Sequence, residues 1–82
     1  MNIKKNIAIS DSGFVFDPST GDSFSLNPVG LEIMLLIKEG NTPEQISGLI
    51  TSKYEVDRSV FERYFLDFTA MLKQYHLLAN NE

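Results

Sequence analysis

The 82-residue chain contains no cysteine. Disulfides, thiolate metal sites and thiol redox chemistry are excluded. Basic residues are sparse as well. Seven Lys and Arg stand against eleven Asp and Glu, for a formal net charge of −4 and a pI near 4.8. The only adjacent basic pair is Lys4-Lys5. Duplex-binding proteins draw most of their affinity from clustered Lys and Arg set against phosphates, so nucleic acid is a poor fit. No run of about 18 apolar residues is present to span a bilayer. No apolar stretch of about 7–15 residues follows Lys4-Lys5, as a signal peptide would require. These absences predict a soluble, cytoplasmic protein without a membrane partner.

Signatures of catalysis are missing too. Neither GxGxxG nor GxxxxGK[ST] occurs, so no loop is built to cradle phosphate. His76 is the only histidine, and a cation near a helix C-terminus suffices to explain it. Asp11, Asp17 and Asp22 lie in turn compositions, and their spacing does not match a calcium loop. Glu55 and Asp57 read as a solvated connector and a helix cap. No Ser, His and acid stand where a triad is suggested, and a chain this short has little room for a pocket. The expectation is no enzyme, no metal and no cofactor.

What is present is the composition of a folded domain. The chain is 43% hydrophobic and 22% charged, unlike a disordered segment. One domain is expected over residues 1–82, with an ordered core from about 7 to 78. A domain of this size buries only about 60% of its unfolded surface, so the core is thin. There is no internal repeat, no low-complexity segment and no long linker.

The first third has strand character. Ile7-Ala8-Ile9 is a short apolar run that ends at the turn composition Ser10-Asp11-Ser12-Gly13. Phe14-Val15-Phe16 favours a pleated, half-buried surface. Asp17-Pro18-Ser19-Thr20-Gly21-Asp22 is a strong loop signal, and Ser23-Phe24-Ser25-Leu26 alternates polar with apolar. Phe14 to Leu26 therefore reads as a hairpin with a weaker strand before it.

Asn27-Pro28 switches the pattern, because Asn favours the N-cap and Pro the first helical position. A helix is expected to about Glu39, stopped by Gly40. Val29, Ile33, Leu36 and Ile37 form one stripe, with Leu31 and Leu35 on another face, so burial from more than one direction is expected. Thr42-Pro43-Glu44-Gln45 carries a capping box and opens a second helix to about Lys53. Its inner stripe is Ile46, Leu49 and Ile50, and Tyr54-Glu55-Val56 is a connector. Asp57 caps a third helix, about Arg58 to Tyr75, whose stripe is Val60, Tyr64, Phe68, Met71, Leu72 and Tyr75, widened by Phe61 and Phe65. Leu77-Leu78 packs an end, and residues 79–82 form a frayed polar tail. The fold class is α+β: a small three-stranded antiparallel sheet followed by three helices.

Two features rise above packing. One outer strand must present unpaired N–H and C=O groups, and Ser23 to Leu26 carries no Lys, Glu or Pro to guard it. The third helix is rich in aromatic residues: Tyr64, Phe65 and Phe68. Together they make a groove.

At this point the chain resembles the PqqD-like family, the peptide-recognition elements of modified-peptide biosynthesis. Leu26-Asn27 ahead of the first helix is similar to that family's "LN" helix start. Glu32-Ile33, Leu36, Glu39-Gly40 and Thr42-Pro43-Glu44-Gln45-Ile46 resemble its "EI…L..G.T..EI" stretch. Tyr54, Val56, Val60, Phe68, Leu72 and Leu77-Leu78 resemble its closing "Y.V…V…F…L…GLL". The resemblance covers roughly Ile7 to Leu78. Asn27-Pro28-Val29-Gly30 departs from the more frequent Asn-Glu-Thr-Ala, His76 replaces a usual glycine, and Tyr64 stands near an often acidic position.

The resemblance implies a winged-helix-like arrangement and a peptide chaperone. The partner would be the leader of a ribosomally made precursor, bound as an added strand and presented to a modifying enzyme, often a radical enzyme. Carried over, the peptide-binding residues are Ser23, Phe24 and Ser25 on the strand and Arg63, Tyr64, Asp67 and Met71 on the helix. The backbone of Ser23 and Ser25 supplies the ladder, and selectivity comes from the helix. Two other readings stay open: a homodimerisation or adaptor domain that uses the same edge without a precursor peptide, and, disfavoured by charge, a nucleic-acid-binding winged helix.

Overall fold

The computed structural model describes residues 1–79. Strands β1 (Ala8–Ile9), β2 (Phe14–Phe16) and β3 (Ser23–Ser25) precede helices α1 (Pro28–Lys38), α2 (Pro43–Tyr54) and α3 (Arg58–Gln74). The sheet is antiparallel, in the order β1-β2-β3. Asp17 closes the hairpin loop. Its Oδ1 accepts from the Ser19 N–H at 2.9 Å, its carbonyl accepts from the Thr20 and Gly21 N–H groups, and it is buried.

The helices begin where local chemistry dictates. Asn27 Oδ1 accepts from the Gly30 N–H at 2.7 Å. Thr42 and Gln45 complete a reciprocal capping box, satisfying N–H groups that the first turn leaves orphaned. Asp57 occupies the N-cap of α3 but its side chain makes no capping hydrogen bond, contrary to the expectation. Tyr54 belongs to α2 rather than to the connector, and α3 ends one residue before Tyr75.

Both α1 and α3 stop in the same way. After α1, Gly40 N–H donates to the Ile37 carbonyl and Asn41 N–H to the Leu36 carbonyl, with Gly40 at φ 94°. After α3, His76 N–H donates to the Lys73 carbonyl and Leu77 N–H to the Leu72 carbonyl, with His76 at φ 56°. Each is a Schellman stop, which needs a left-handed residue just past the cap. His76 fills a backbone role that glycine fills at less strain, in accord with the resemblance noted above, in which a glycine is usual at this position.

The core joins Val15 of β2 to Ile33, Met34 and Ile37 of α1, Ile46 and Ile50 of α2, and Phe61, Phe68 and Leu72 of α3. Several expected stripes are corrected. α1 buries one face, Gly30, Ile33, Met34 and Ile37, and Leu35 points out, because the sheet and the other helices cover α1 from one side only. Leu49 of α2 is exposed, since no second layer covers that face. Ile3, ahead of the expected start of the core, is buried. It bridges Leu78, while Lys4 N–H donates to the Leu77 carbonyl and Ala79 N–H to the Asn2 carbonyl. The two chain ends thus strap each other, and Ala79 is held rather than frayed. The rest of the predicted tail, 80–82, lies outside the described residues.

Candidate functional site

Hydrogen-bond parity decides what β3 offers. Leu26 N–H donates to the Gly13 carbonyl and Asp17 N–H to the Asp22 carbonyl. In an antiparallel ladder, hydrogen-bonded pairs recur every second residue. Val15 and Phe24, aligned in the register between those two bonds, therefore form the bonded pair between them. Ser23 and Ser25 must then turn their N–H and C=O groups away from β2, to the free edge. The β1 side obeys the same parity: Ser10 N–H donates to the Phe14 carbonyl, so Phe14 and Phe16 face β1 and Val15 faces β3.

Helix α3 lies along this edge and sinks as it goes. Along the row Val60, Tyr64, Phe68 and Leu72, exposure falls from 60% through 37% and 7% to 0%. Along this row the expected core stripe is buried only in the C-terminal half of α3, while Phe61, on the widened side of the stripe, is buried near the helix N-terminus. The neighbouring row is Arg63, Asp67, Met71 and Tyr75, each four residues on. Arg63 and Asp67 are exposed and Met71 is half-buried. Tyr75 meets Phe24 with ring centroids 4.5 Å apart. That contact fixes the shallow end of the groove.

The other end is held through α1. The Tyr64 hydroxyl reaches Asn27 Oδ1 at 3.4 Å, the oxygen that also caps α1. Tyr64 stacks on Phe68 at 6.4 Å. A Cβ on buried Gly30 would lie 3.3 Å from Phe68 Cε1 and 3.1 Å from Asn27 Oδ1, so glycine permits this approach of α1 to α3. Beyond Tyr64 the groove opens into a pocket of about 250 Å³ walled by Val29, Tyr54, Val56, Val60 and Phe61, among others. Its lining is almost wholly apolar. Small-molecule sites occupy about 300–1,000 Å³, so this pocket suits a side chain better than a cofactor.

One wall is braced from outside. The Tyr54 hydroxyl donates to Glu32 Oε1 at 2.8 Å. Lys53 Nζ donates to both Glu32 oxygens at 3.1 Å. The Glu32 carboxyl is held below its ordinary range, chiefly by the Tyr54 hydroxyl and also by Lys53. The same carboxylate pushes the Tyr54 and Lys53 values up.

The structure brings the predicted strand and the predicted helix row together at Phe24 and Tyr75, and brings Tyr64 to Asn27 just past β3. Ser23 and Ser25 are exposed on the strand and Phe24 faces inward. On α3, Met71 packs against the core and Arg63 and Asp67 are exposed. Sequence reasoning missed Tyr75, Tyr54 and the pocket. Tyr75 could have been found, since it lies four residues beyond Met71 on the same row. Among the described residues no cluster of three or more His, Cys, Asp or Glu could hold a metal ion, and no helix is long and apolar enough to cross a membrane.

Three strands, three helices and an unshielded sheet edge beside the last helix define a small α+β domain of the winged-helix-like kind. The profile of Coenzyme PQQ synthesis protein D (PqqD) matches residues 13–78, and the chain belongs to that family. A solved structure described as TbiB1 in complex with the TbiA(beta) leader peptide is 35% identical. It superposes with a TM-score of 0.87 over 98% of this chain and 96% of that one. A second, lasso peptide synthetase B1 complexed with the leader peptide, is 25% identical with a TM-score of 0.82, over 94% of each chain. Curated protein sequences yield no match.

Proposed function

We propose that this chain binds the leader segment of a ribosomally made precursor peptide as a fourth strand on β3 and presents it to a modifying enzyme, without catalysing a reaction itself. The observation that carries the reading is the parity of β3, which turns the backbone groups of Ser23 and Ser25 outward beside the groove walled by α3. Two solved relatives that share the fold are complexes with leader peptides, which supports the same assignment.

Magnitudes set the division of labour. Two serines with two groups each offer four ladder hydrogen bonds, worth about 0.5–1.5 kcal/mol net apiece. The sum is about 2–6 kcal/mol before the cost of ordering the peptide. Micromolar affinity corresponds to about 8 kcal/mol. Side chains must supply the rest. The leader residue opposite Phe24 faces inward toward Tyr75 and Met71. A residue beyond the end of β3 reaches the pocket behind Tyr64. Arg63 and Asp67 at the rim discriminate by charge.

The test is a proton–nitrogen correlation titration of the labelled protein with leader peptides encoded near its gene. Shifts at Ser23, Phe24, Ser25, Tyr64 and Met71 are expected. Slowed amide exchange at Ser23 and Ser25 is expected too, with no change at Ile9 on the opposite edge. Absence of shifts at millimolar peptide would leave self-association or another protein partner as the better account.

A further inference from the structure

The outer face of the sheet carries an unexplained pair of aromatic rings. β2 is the central strand, and its Val15 is fully buried while Phe14 and Phe16 are 48% and 39% exposed. Both rings therefore project from the face opposite the helices. Their cross-strand partners do nothing to hide them. Phe14 pairs with Ser25, Phe16 with Ser23 on one side and Ala8 on the other, and all three are small and exposed. Phe is a costly choice for a solvated central strand, where Thr would satisfy the pleat equally well.

The face is too small to hold a partner alone. Three strands of two to three residues span about 10 Å each way, on the order of 100 Å², whereas a standard interface covers about 800 Å² per partner. A stable dimer of this chain through the two rings is excluded on that ground. The face is, however, continuous with the β3 edge. A strand added there pairs with Ser23 and Ser25, and its residues opposite those serines project onto the same outer face as Phe14 and Phe16. They stand two strand spacings, about 10 Å, from the rings.

We propose that this composite face, Phe14 and Phe16 together with the outward side chains of the bound leader, is the docking surface for the enzyme that modifies the precursor. The inference rests on the strand-addition reading. The enzyme presents an apolar patch to the two rings and reads the alternate leader residues that α3 cannot touch. Neither half suffices, so the enzyme engages the loaded domain in preference to the empty one.

The test uses the full chain, the leader peptide and the modifying enzyme encoded beside its gene. Phe14→Thr/Phe16→Thr keeps strand-forming residues on the outer face. Leader affinity, read by fluorescence anisotropy, is expected to stay within about twofold. The apparent KM of the enzyme for leader-loaded domain is expected to rise at least tenfold, with kcat unchanged at saturation. As a check independent of that variant's folding, a photo-cross-linking benzoyl-phenylalanine at position 16 is expected to capture the enzyme only when leader is present. Retained leader binding with an unchanged KM overturns the proposal alone, as does capture of a second copy of this chain instead of the enzyme. Failure of the unmodified protein to bind leader overturns strand addition and this proposal with it.

Discussion

The two edges of one sheet are built differently. The β1 edge is two residues long, bounded by the Lys4–Ile7 turn on one side and the Ser10–Gly13 turn on the other. The segment leading into it is strapped to the chain that follows α3, through Ile3 and Leu78. The β3 edge is three residues long and bordered by serines, and the end of α3 meets it through Tyr75 against Phe24. Both edges expose backbone groups, Ile9 on one and Ser23 and Ser25 on the other. On the proposed reading only the second has a wall, α3, to receive side chains. Free hydrogen-bonding groups are thus not enough to make a binding edge, and a wall at side-chain distance is what separates the two.

Substitutions on the two sides should part stability from binding. The largest effect is expected for Ile3→Ala on the strapped side. Ile3 is nearly fully buried, and truncation of a buried Ile costs about 2–5 kcal/mol. Denaturant unfolding should show that loss, while leader affinity of the remaining folded protein is unchanged. Next comes Ser25→Pro on the open side. Proline removes an outward N–H and sets its ring in the path of an added strand, yet is tolerated on an edge. Leader affinity should fall about ten- to a hundredfold, the equivalent of about 1.4–2.7 kcal/mol, with stability nearly unchanged. If Ser25→Pro unfolded the domain and Ile3→Ala abolished binding, the contrast between the edges would be lost.

The smallest effect is expected at the brace of the pocket wall. The folded-state value of Glu32 is depressed by Tyr54 and Lys53, so its contribution is present above the ordinary carboxylate value of 4.5. It is lost as pH falls through the lower folded value. The stability difference between the native chain and Glu32→Gln should therefore be constant above about pH 5 and shrink below about pH 4. Exposed pairs are worth little, so thermal melts across that range should show a shift of a few degrees at most. A difference that grew toward acid would show that the brace does not depend on the Glu32 charge.

Much of this architecture was legible in the chain because its signals are local. Asn27-Pro28 and Thr42-Pro43-Glu44-Gln45 announce helix starts through groups three residues apart. Gly40 announces a stop. The serine-bordered strand was visible as a run without guards. What escaped depends on how elements meet. Leu49 and Val60 satisfy helical periodicity, but periodicity does not say whether a second layer lies opposite. Ile3 sits alone among polar residues, and its burial comes from a partner at the other end of the chain. The pocket is walled by residues from three helices, which no single stretch of sequence brings together. The outer rings were encoded in Phe14-Val15-Phe16 itself: two aromatic residues on one face and a smaller one inward leave the larger groups outside.

The alternation of the β3 ladder bears on how leader sequences can diverge. On the proposed strand addition a peptide gripped by backbone is held regardless of its side chains, and the helix would inspect only every second position, at intervals of about 6.8 Å. Mutations at inspected positions meet a filter in this domain. Those at the intervening positions pass it freely, and drift there is checked only by whatever reads the opposite face. Two alternating sets of residues in one short segment can in that way evolve under two separate selections, with a single strand serving both.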